Sequence, residues 1–313
     1  MNTVFDVVVL GEVLVEVATR VPFGHDVPAT LGVSGDALNV AAAAAAAGAR
    51  VGLVAVLTDD DLGRAIAARV AALGIATDLL RFRNGQQGVY LVHSDPRGER
   101  EFSYARAGSV GSTLGPEDLP ADVIAIAGAV VASGISCAIA TTARDAVLSA
   151  ARLAQRFVYD PNYRSRLTTP RDAARTLTEL APYSWLVTPS HPGETSALLE
   201  VDSALDAARR LRDLGVQNVA VTCGAAGVQI MGPGLETWVE AVPAPSVVDQ
   251  TGAGDAYVGT LTARLVRGDD LLWAARQAGA AASLVVGGRG GTGHVPSLDE
   301  ARAHLTTTRK IAP

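Results

Sequence analysis

The sequence predicts an α/β fold in three layers, α/β/α, with a mostly parallel central sheet and a small separate β-sheet. Three observations carry this prediction. Short apolar strands alternate with helical segments along most of the chain, which is typical of a parallel sheet covered by helices on both faces. One stretch breaks this alternation with two strands that no helix separates. Hydrophobic residues make up 49% of the 313 residues, enough to bury a large core.

The first elements begin the alternation. Residues 4–10 are short, apolar and rich in β-branched side chains, as in a buried strand. Residues 13–17 alternate apolar positions with Glu16, which indicates a half-exposed strand. The next elements are a helix at 36–47 that ends at Gly48, a buried strand at 51–57, and a helix at 62–73 that ends at Gly74.

The break in the alternation predicts a lid. Residues 88–93 and 101–106 flank the turn-rich residues 94–98, so we expect them to pair as an antiparallel hairpin. Together with residues 13–17 they would form a small sheet that stands off the main body. We therefore expect one domain over residues 1–313, with the lid inserted at about 12–34 and 88–107.

The alternation then resumes and continues to the end of the chain. Further strands are predicted at 129–133, 157–160, 184–188, 219–223 and 228–231. Further helices are predicted at 143–155, 171–181, 204–214, 252–267 and 271–285, followed by a loose tail at 306–313. Each helix between two strands returns the chain to the same end of the sheet, which makes neighbouring strands parallel.

Composition excludes several classes of protein. The net charge is −6 and no basic stripe is present, so nucleic acid is not an expected partner. No uncharged apolar run reaches the length of a membrane span, and the first residues lack the pattern of a signal peptide. Cys137 and Cys223 lie far apart and outside any C-x-x-C motif, which favours core thiols in a reducing cytoplasm.

The chain contains a single lysine, Lys310, three residues from the end. It is followed by Ile311, so the chain has no Walker A loop, which requires Lys-Ser or Lys-Thr. A protein-kinase β3 lysine is excluded with it. Any phosphate or carboxylate must therefore be bound by arginine, by backbone N–H groups or by a metal ion.

The strongest local signal is the sequence DQTGAGDAY at residues 249–257. Small residues open directly into a helix, so the backbone N–H groups of Gly252, Ala253 and Gly254 can bind an anion at the positive end of the helix dipole. Asp255 lies in the first turn, where the dipole favours its ionised form, and it is a candidate general base. The alternative is an ordinary capped helix with an acidic first turn.

A second signal is SGDALNVA at residues 34–41, where a glycine opens a helix whose first turns carry Asp36 and Asn39. Such groups can hydrogen-bond sugar hydroxyls, although simple N-capping by Asp36 is an alternative. Residues 288–293 match G-x-G-x-x-G, but no helix follows them, so we interpret them as a mobile glycine loop rather than a dinucleotide site.

Two arginines follow predicted strands. Arg106 ends the second strand of the hairpin, and Arg164 comes shortly after the strand at 157–160. Ligands of open α/β sheets bind at the carboxyl ends of the strands, and guanidinium groups bind carboxylates in a bidentate manner. The alternative for either residue is a solvated surface charge. The five histidines show no metal-ligand spacing, so no zinc site is expected.

Together these segments resemble the ribokinase-like (PfkB) family of carbohydrate kinases. The matching positions run in order along nearly the whole chain: Gly11, Glu12, Gly35, Asn39, Ala41, Gly63, Glu194, Gly224, Gly227 and residues 252–255. Within the family, the sequence is most similar to members that phosphorylate 2-keto-3-deoxygluconate. That similarity is carried by GVYL at 88–91, YARAGSVGS at 104–112 and DPNYRSRL at 160–167.

The resemblance implies a role for each candidate residue. Asp255 would be the general base on a primary hydroxyl of the substrate, and the amides of Gly252, Ala253 and Gly254 would hold the γ-phosphate of ATP. Mg²⁺ would bridge the phosphates, with Glu194 ordering its water shell, and K⁺ would lie near Asp249 and Thr251. The sugar acid would be held by Gly35, Asp36, Asn39, Tyr90, Tyr104, Arg106 and Arg164. The nucleotide would be lined by Thr222, Gly224 and Gly227.

The resemblance leaves alternatives open. The acceptor is expected to be a sugar acid, since a neutral sugar would not need two arginines, but fructose, another ketose or a nucleoside is a second hypothesis. A non-catalytic sugar sensor is a third, because the chain departs from the family pattern at Ser34, Thr58, Ala105, His191, Gln250 and Gly279. A lid with exposed strand edges also favours a homodimer.

Overall fold

The computed structural model describes residues 4–94 and 100–309. Over these residues the strands are β1 (Val7–Leu10), β2 (Leu14–Thr19), β3 (Ala29–Ser34), β4 (Val51–Val54), β5 (Val56–Thr58), β6 (Ile75–Ala76), β7 (Arg81–Arg83), β8 (Val89–Ser94), β9 (Arg100–Ala105), β10 (Ala129–Ser133), β11 (Phe157–Asp160), β12 (Ser184–Val187), β13 (Asn218–Thr222), β14 (Gly227–Gly232) and β15 (Leu235–Glu240). The helices are α1 (Asp36–Ala46), α2 (Asp61–Ala72), α3 (Ala121–Ile126), α4 (Gly134–Ile139), α5 (Thr141–Leu153), α6 (Pro170–Leu180), α7 (Gly193–Leu199), α8 (Ala204–Asp213), α9 (Ala253–Val266), α10 (Leu271–Val285) and α11 (Leu298–Arg309).

The main sheet has nine strands in the order β15-β14-β13-β12-β11-β10-β1-β4-β6. Its strands are parallel from β13 to β6, and β14 and β15 add an antiparallel hairpin at one edge. The prediction of a three-layer α/β fold with a mostly parallel sheet is therefore confirmed. Strand β1 lies where the strand order reverses, so the neighbouring loops open a crevice at the carboxyl ends of the strands.

Alternate side chains along β1 pack against the two helical layers on opposite faces of the sheet. Val7 and Val9 belong to the apolar core shared with α1, α9 and α10, while Val8 and Leu10 belong to the core on the opposite face with α5, α6 and α8. All four side chains are almost completely buried. A strand with both faces covered requires a continuous apolar run, which is why this segment could be identified from the sequence.

The second sheet has four strands in the order β3-β2-β8-β9. Strands β8 and β9 are antiparallel as predicted, and β2 pairs with β8 in parallel. Strand β3 pairs with β2 and was not predicted as a strand. All four strands lie within the segments that we assigned to the lid. Residues 95–98 of the turn predicted at 94–98, and the lysine at 310, lie outside the described residues.

Two predicted elements were wrong in detail. The strand predicted at 51–57 is interrupted at Ala55, and its second half, β5, pairs with β7 in a separate two-stranded sheet. Helix α7 and strand β15 were missed. The predicted loose tail is incorrect for residues 306–309, which continue helix α11. No helix in the described part of the chain is long and apolar enough to cross a bilayer.

Candidate active site

A cavity of about 900 Å³ lies between the carboxyl ends of the main sheet, the second sheet, and the first turns of α1 and α9. It brings together residues that are far apart in the chain. Of the residues singled out from the sequence, the cavity is lined by Gly35, Asp36, Asn39, Tyr90, Tyr104, Arg106, Arg164, Glu194, Thr222, Thr251, Gly252, Gly254 and Asp255. Its volume exceeds that of a single monosaccharide and leaves room for a second group beside it.

Asp255 is held by a side chain from another helix. The Nδ2 of Asn39, on α1, donates a hydrogen bond of 2.7 Å to Oδ2 of Asp255, on α9. The Oγ of Ser34 lies 3.4 Å from the Oδ1 of Asn39 and donates to it, which fixes the amide with its N–H side towards Asp255. Asn39 therefore contacts the carboxylate directly, in addition to the sugar-binding role expected for it.

The ionisation of Asp255 differs from the expectation. Its pKa is raised to about 7, chiefly because the carboxyl is removed from water and secondarily because the Asp36 carboxylate is nearby. The Asn39 hydrogen bond and the charge of Arg164 act in the opposite direction. The dipole of α9 alone would keep Asp255 ionised, but burial next to a second carboxylate outweighs it. A carboxyl with this pKa can accept and release a proton near neutral pH.

A substitution at Asn39 tests this balance. Asn39→Ala removes a hydrogen bond that lowers the pKa of Asp255. The base is active when ionised, so kcat/KM should rise with pH through about 7 in the native enzyme, and this rise should move to higher pH in the variant. The measurement is the pH profile of kcat/KM, which reports on the free enzyme. Ser34→Ala removes only the hydrogen bond that orients the Asn39 amide, so it should shift the pH profile less than Asn39→Ala does. An unchanged profile for Asn39→Ala would contradict the assignment of Asp255 as the general base.

Two of the three residues predicted to form an anion cradle before α9 line the cavity. Gly252 is the N-cap of α9 with φ 83°, and a Cβ there would lie 3.0 Å from the Cα of Gly291. Only glycine adopts this conformation without strain. Gly254 lines the cavity and has open space where a Cβ would project. Ala253 does not line the cavity, and its amide donates to the carbonyl of Gln250 at 3.3 Å, so the structure does not bring it to the site as expected.

The glycine loop at residues 288–293 is packed against the site. A Cβ on Gly291 would overlap the side-chain amide of Asn39. The hydroxyl of Thr292 donates to the carbonyl of Val33 on β3 at 2.9 Å, and its own carbonyl accepts from Arg69 at 2.9 Å. Gly291 and Thr292 are buried. The loop was interpreted as mobile, but these contacts tie it to the second sheet and to the cradle.

Asp36 does not cap α1. The N-cap is Gly35, with φ 131°, which has no side chain to bond the free amides of that turn. The Asp36 carboxylate instead accepts a hydrogen bond from the hydroxyl of Ser133 at the end of β10. Its pKa is raised by burial, against the effects of this bond and of the charges of Arg106 and Arg164. Asp36 is therefore not the N-cap residue, although its carboxylate also bonds the backbone amide of Ala37 in the first turn.

The second sheet supplies aromatic rings to the cavity. Tyr90 on β8 pairs with Tyr104 on β9, and its ring centre lies 6.2 Å from that of Phe102, which stacks on Tyr104. Phe102 was missed from the sequence because a lone phenylalanine in a strand carries no chemical signal. The hydroxyl of Tyr90 donates to the Glu16 carboxylate, and burial together with Glu16 raises the pKa of Tyr90. Tyr90 therefore stays protonated.

The two arginines reach the cavity from opposite sides. Arg106 follows β9, its side chain is 11% exposed, and its guanidinium carbon lies 5.5 Å from the ring centre of Tyr104. Arg164 lies in the loop after β11 and is more exposed. The charge of Arg164 lowers the pKa of four buried or partly buried carboxyls: Asp36, Asp160, Glu194 and Asp255. The guanidinium of Arg164 therefore faces the acidic floor of the cavity.

Glu194 is buried and holds two loops together. Its Oε1 accepts from the amide of Tyr163 at 2.6 Å, and its Oε2 accepts from the amide of Ser190 at 2.7 Å. Asp160, at the end of β11, is buried in the same cavity. Its pKa is raised by burial and, in addition, by the charges of Glu194 and Asp255. Asp160 belongs to the DPNYRSRL motif, but its role was not recognised from the sequence.

The remaining predicted residues lie towards one end of the cavity. Thr222 ends β13 and lines the cavity, whereas Gly224 and Gly227 border the turn between β13 and β14 and are not part of the lining. The Asp249 carboxylate accepts from the amides of Thr251 and Gly290, both at 2.9 Å. The described residues contain no group of three or more His, Cys, Asp or Glu side chains that would hold a metal ion without other ligands.

Comparison with known proteins identifies the family of this chain. The chain matches the model of the pfkB family carbohydrate kinases over residues 5–298. It is 34% identical over 310 residues to a 2-dehydro-3-deoxygluconokinase of Thermoproteus tenax, covering 97% of this chain and 95% of that protein. It is 32% identical to fructokinase-1 of Zea mays, covering 83% of each. A crystal structure of a fructokinase with bound ATP from Xylella fastidiosa has the same fold, with a TM-score of 0.86 and 22% identity, over 97% of this chain and 99% of that chain.

The family model covers almost the entire chain, and the relatives cover most of it at more than 30% identity. The predicted family is thereby confirmed together with the fold and the kinase activity. The chain belongs to the pfkB family of carbohydrate kinases.

Proposed function

We propose that this kinase transfers the γ-phosphate of ATP to a primary hydroxyl of a sugar acid, 2-keto-3-deoxygluconate. The observation that carries the proposal is the position of Arg106 and Arg164 on the wall of the cavity that also contains Asp255. Two guanidinium groups match a substrate carboxylate. The similarity to the Thermoproteus tenax kinase supports the same substrate.

We assign one group of residues to the attacking hydroxyl and another to the transferred phosphoryl group. Asp255 would accept the proton of the primary hydroxyl as its oxygen attacks the γ-phosphorus, and the bond to the ADP oxygen would break with ADP as the leaving group. Gly252 and Gly254 would stabilise the charge on the transferred group through their amides. Such a loose transition state depends mainly on positioning and electrostatics, so no lysine is required. We propose that the second sheet acts as a lid that excludes water from this step.

The carboxylates of Asp160 and Glu194 fit a magnesium ion. Mg²⁺ prefers oxygen ligands, keeps several waters and is commonly held together with substrate phosphates. The charge of Glu194 adds to burial in raising the pKa of Asp160, and a divalent cation would compensate that repulsion. When bound with ATP, Mg²⁺ would neutralise charge on the phosphates. Thr222, Gly224 and Gly227 would line the nucleotide.

K⁺ would bind near Asp249 and Thr251. The dependence of the reaction rate on the concentration of KCl tests this cation site.

The direct test is ADP formation with purified enzyme over a panel of sugars. 2-Keto-3-deoxygluconate should give the highest kcat/KM, and no turnover with any keto-deoxy acid would remove the substrate proposal. Highest activity with fructose would favour the ketose alternative, which the maize fructokinase relative supports. Binding of a sugar without any ADP formation would favour the non-catalytic alternative. Sedimentation of the same enzyme would test the proposed dimer through the lid.

Arg164→Ala separates the sugar-acid and neutral-sugar hypotheses. We expect KM for 2-keto-3-deoxygluconate to rise about tenfold or more, as for the loss of one charged hydrogen bond of about 1.5–3 kcal/mol. KM for a neutral ketose should change much less, because it has no carboxylate for the guanidinium. Arg171→Ala is the matched control, since Arg171 is exposed on α6 and lies outside the cavity lining. Equal effects on acidic and neutral sugars would contradict the role of Arg164.

A further inference from the structure

Glu12 is a buried carboxylate that the proposed reaction does not use. It lies two residues after β1 and is 2% exposed, and it is not among the residues that line the cavity. Its Oε2 lies 3.4 Å from Nη1 of Arg106, and its Oε1 accepts a hydrogen bond of 3.1 Å from the hydroxyl of Ser109. Arg106 therefore stands between Glu12 and the cavity.

The Glu12 side chain fits because two neighbouring positions, Gly88 and Gly111, have no side chain. A Cβ on Gly111 would lie 2.7 Å from the Cγ of Glu12, and a Cβ on Gly88 would lie 3.0 Å from its Oε1. Either Cβ would be too close to the Glu12 side chain in its present position. The carboxylate thus occupies a closely fitting site at the junction of the second sheet and the main sheet. This fit fixes the position of its charge.

The Arg106 guanidinium is incompletely paired. Its Nη2 is buried and has no hydrogen-bond partner, while Nη1 faces Glu12. A buried charged donor without a partner is costly, so it indicates a ligand group that completes the pairing. Arg106 lines the cavity, and the stacking on Tyr104 restrains the plane of the guanidinium. The substrate carboxylate is the group in the proposed reaction that would satisfy Nη2.

We propose that Glu12 is a positioning residue, which holds Arg106 by its Nη1 edge so that Nη2 is presented to the carboxylate of the sugar acid. This inference rests on the proposed function, because a neutral sugar has no carboxylate to pair with Nη2. Truncating Glu12 would leave the guanidinium free to rotate away from the cavity wall. The effect is on binding of the acidic substrate and not on the transfer step, because Glu12 lies behind Arg106 and outside the cavity lining.

The electrostatics around Glu12 agree with this role. Burial raises the pKa of Glu12 to about 7, while the charge of Arg106 and the hydrogen bond from Ser109 lower it. The other charged group that acts on it is Asp36, which raises it. Without Arg106 the pKa of Glu12 would be higher still, so the guanidinium favours the charged form of this carboxyl.

Glu12→Gln tests the inference, since glutamine keeps the shape and loses the charge. We expect KM for 2-keto-3-deoxygluconate to rise about tenfold, with kcat and KM for ATP within twofold of the native values. In an Arg106→Ala background, the same substitution should have no further effect on KM, because there is no guanidinium left to position. An effect of Glu12→Gln that persists without Arg106 would indicate a general structural role and overturn the proposal.

Ser109→Ala provides an independent measurement if the Glu12 variant does not fold. It removes one hydrogen bond to the carboxylate and should raise the same KM about two- to threefold without changing kcat. Suppose that the native enzyme phosphorylates the sugar acid. An unchanged KM in Ser109→Ala or in Glu12→Gln then overturns the inference and leaves the proposed function intact. A native enzyme that phosphorylates only neutral sugars overturns the proposed function and this inference with it.

Discussion

Asp255→Asn should lower kcat by about 10²–10⁴-fold, the range for loss of a positioned general base. An amide cannot accept the proton of the attacking hydroxyl, whereas its size and its contact with Asn39 are nearly unchanged. Sugar binding, measured by calorimetry, should stay within a few-fold of the native value. The loss is therefore expected in the transfer step.

The control for this variant is Asp269→Asn. Asp269 lies between α9 and α10, outside the cavity lining, and accepts hydrogen bonds from Arg264 and Gln277. Its replacement should leave kcat unchanged. If Asp255→Asn kept more than half of the native kcat, another group would have to act as the base.

Gly254→Ala should lower kcat by about 10²-fold, comparable to removal of one donor from an oxyanion hole. The added methyl group would meet no protein atom within 4 Å, and it would occupy space in the cavity where the transferred phosphate is proposed to lie. Alanine is favoured over glycine in a helix by about 0.5–1 kcal/mol, so the variant should be at least as stable as the native enzyme. A stable but slow enzyme is the expected result.

Gly193→Ala is the matched control for Gly254→Ala. Gly193 also lies in the first turn of a helix, and a Cβ there also meets nothing within 4 Å, but it does not line the cavity. It should fold and react as the native enzyme does. Native activity in both variants would show that the phosphate does not approach the amide of Gly254, and thermal unfolding of each variant checks that stability is not the cause.

The parts of the fold that could be predicted are those in which one segment carries its own signal. Strand β11 occupies the predicted residues Phe157–Asp160, because both of its faces are buried and its apolar run is short. Strand β3 was missed because its first three residues are exposed and Gly32 interrupts its pattern, so it is defined by pairing with β2. Pairing partners that are distant in the chain cannot be identified from a local pattern.

The site could be predicted where residue type and spacing define the chemistry. The turn at residues 249–257 indicated an anion site and a base, and Arg106 and Arg164 meet at one cavity. The ionisation of Asp255 could not be predicted, because its pKa depends first on its burial and then on Asp36, which comes from a helix more than two hundred residues earlier. The wrong N-cap assignment for Asp36 has the same origin, since its partner, Ser133, lies on β10.

The glycine loop at residues 288–293 has a practical consequence for protein engineering. Four of its six residues are glycine, and such a segment ordinarily tolerates inserted residues, tags or a new chain terminus. Here Gly291 lies against Asn39, and Thr292 bonds to Val33 of the second sheet. An insertion at this point would separate two parts of the molecule that the loop holds in register. Circular permutants and sensor fusions of this kinase should therefore be opened elsewhere.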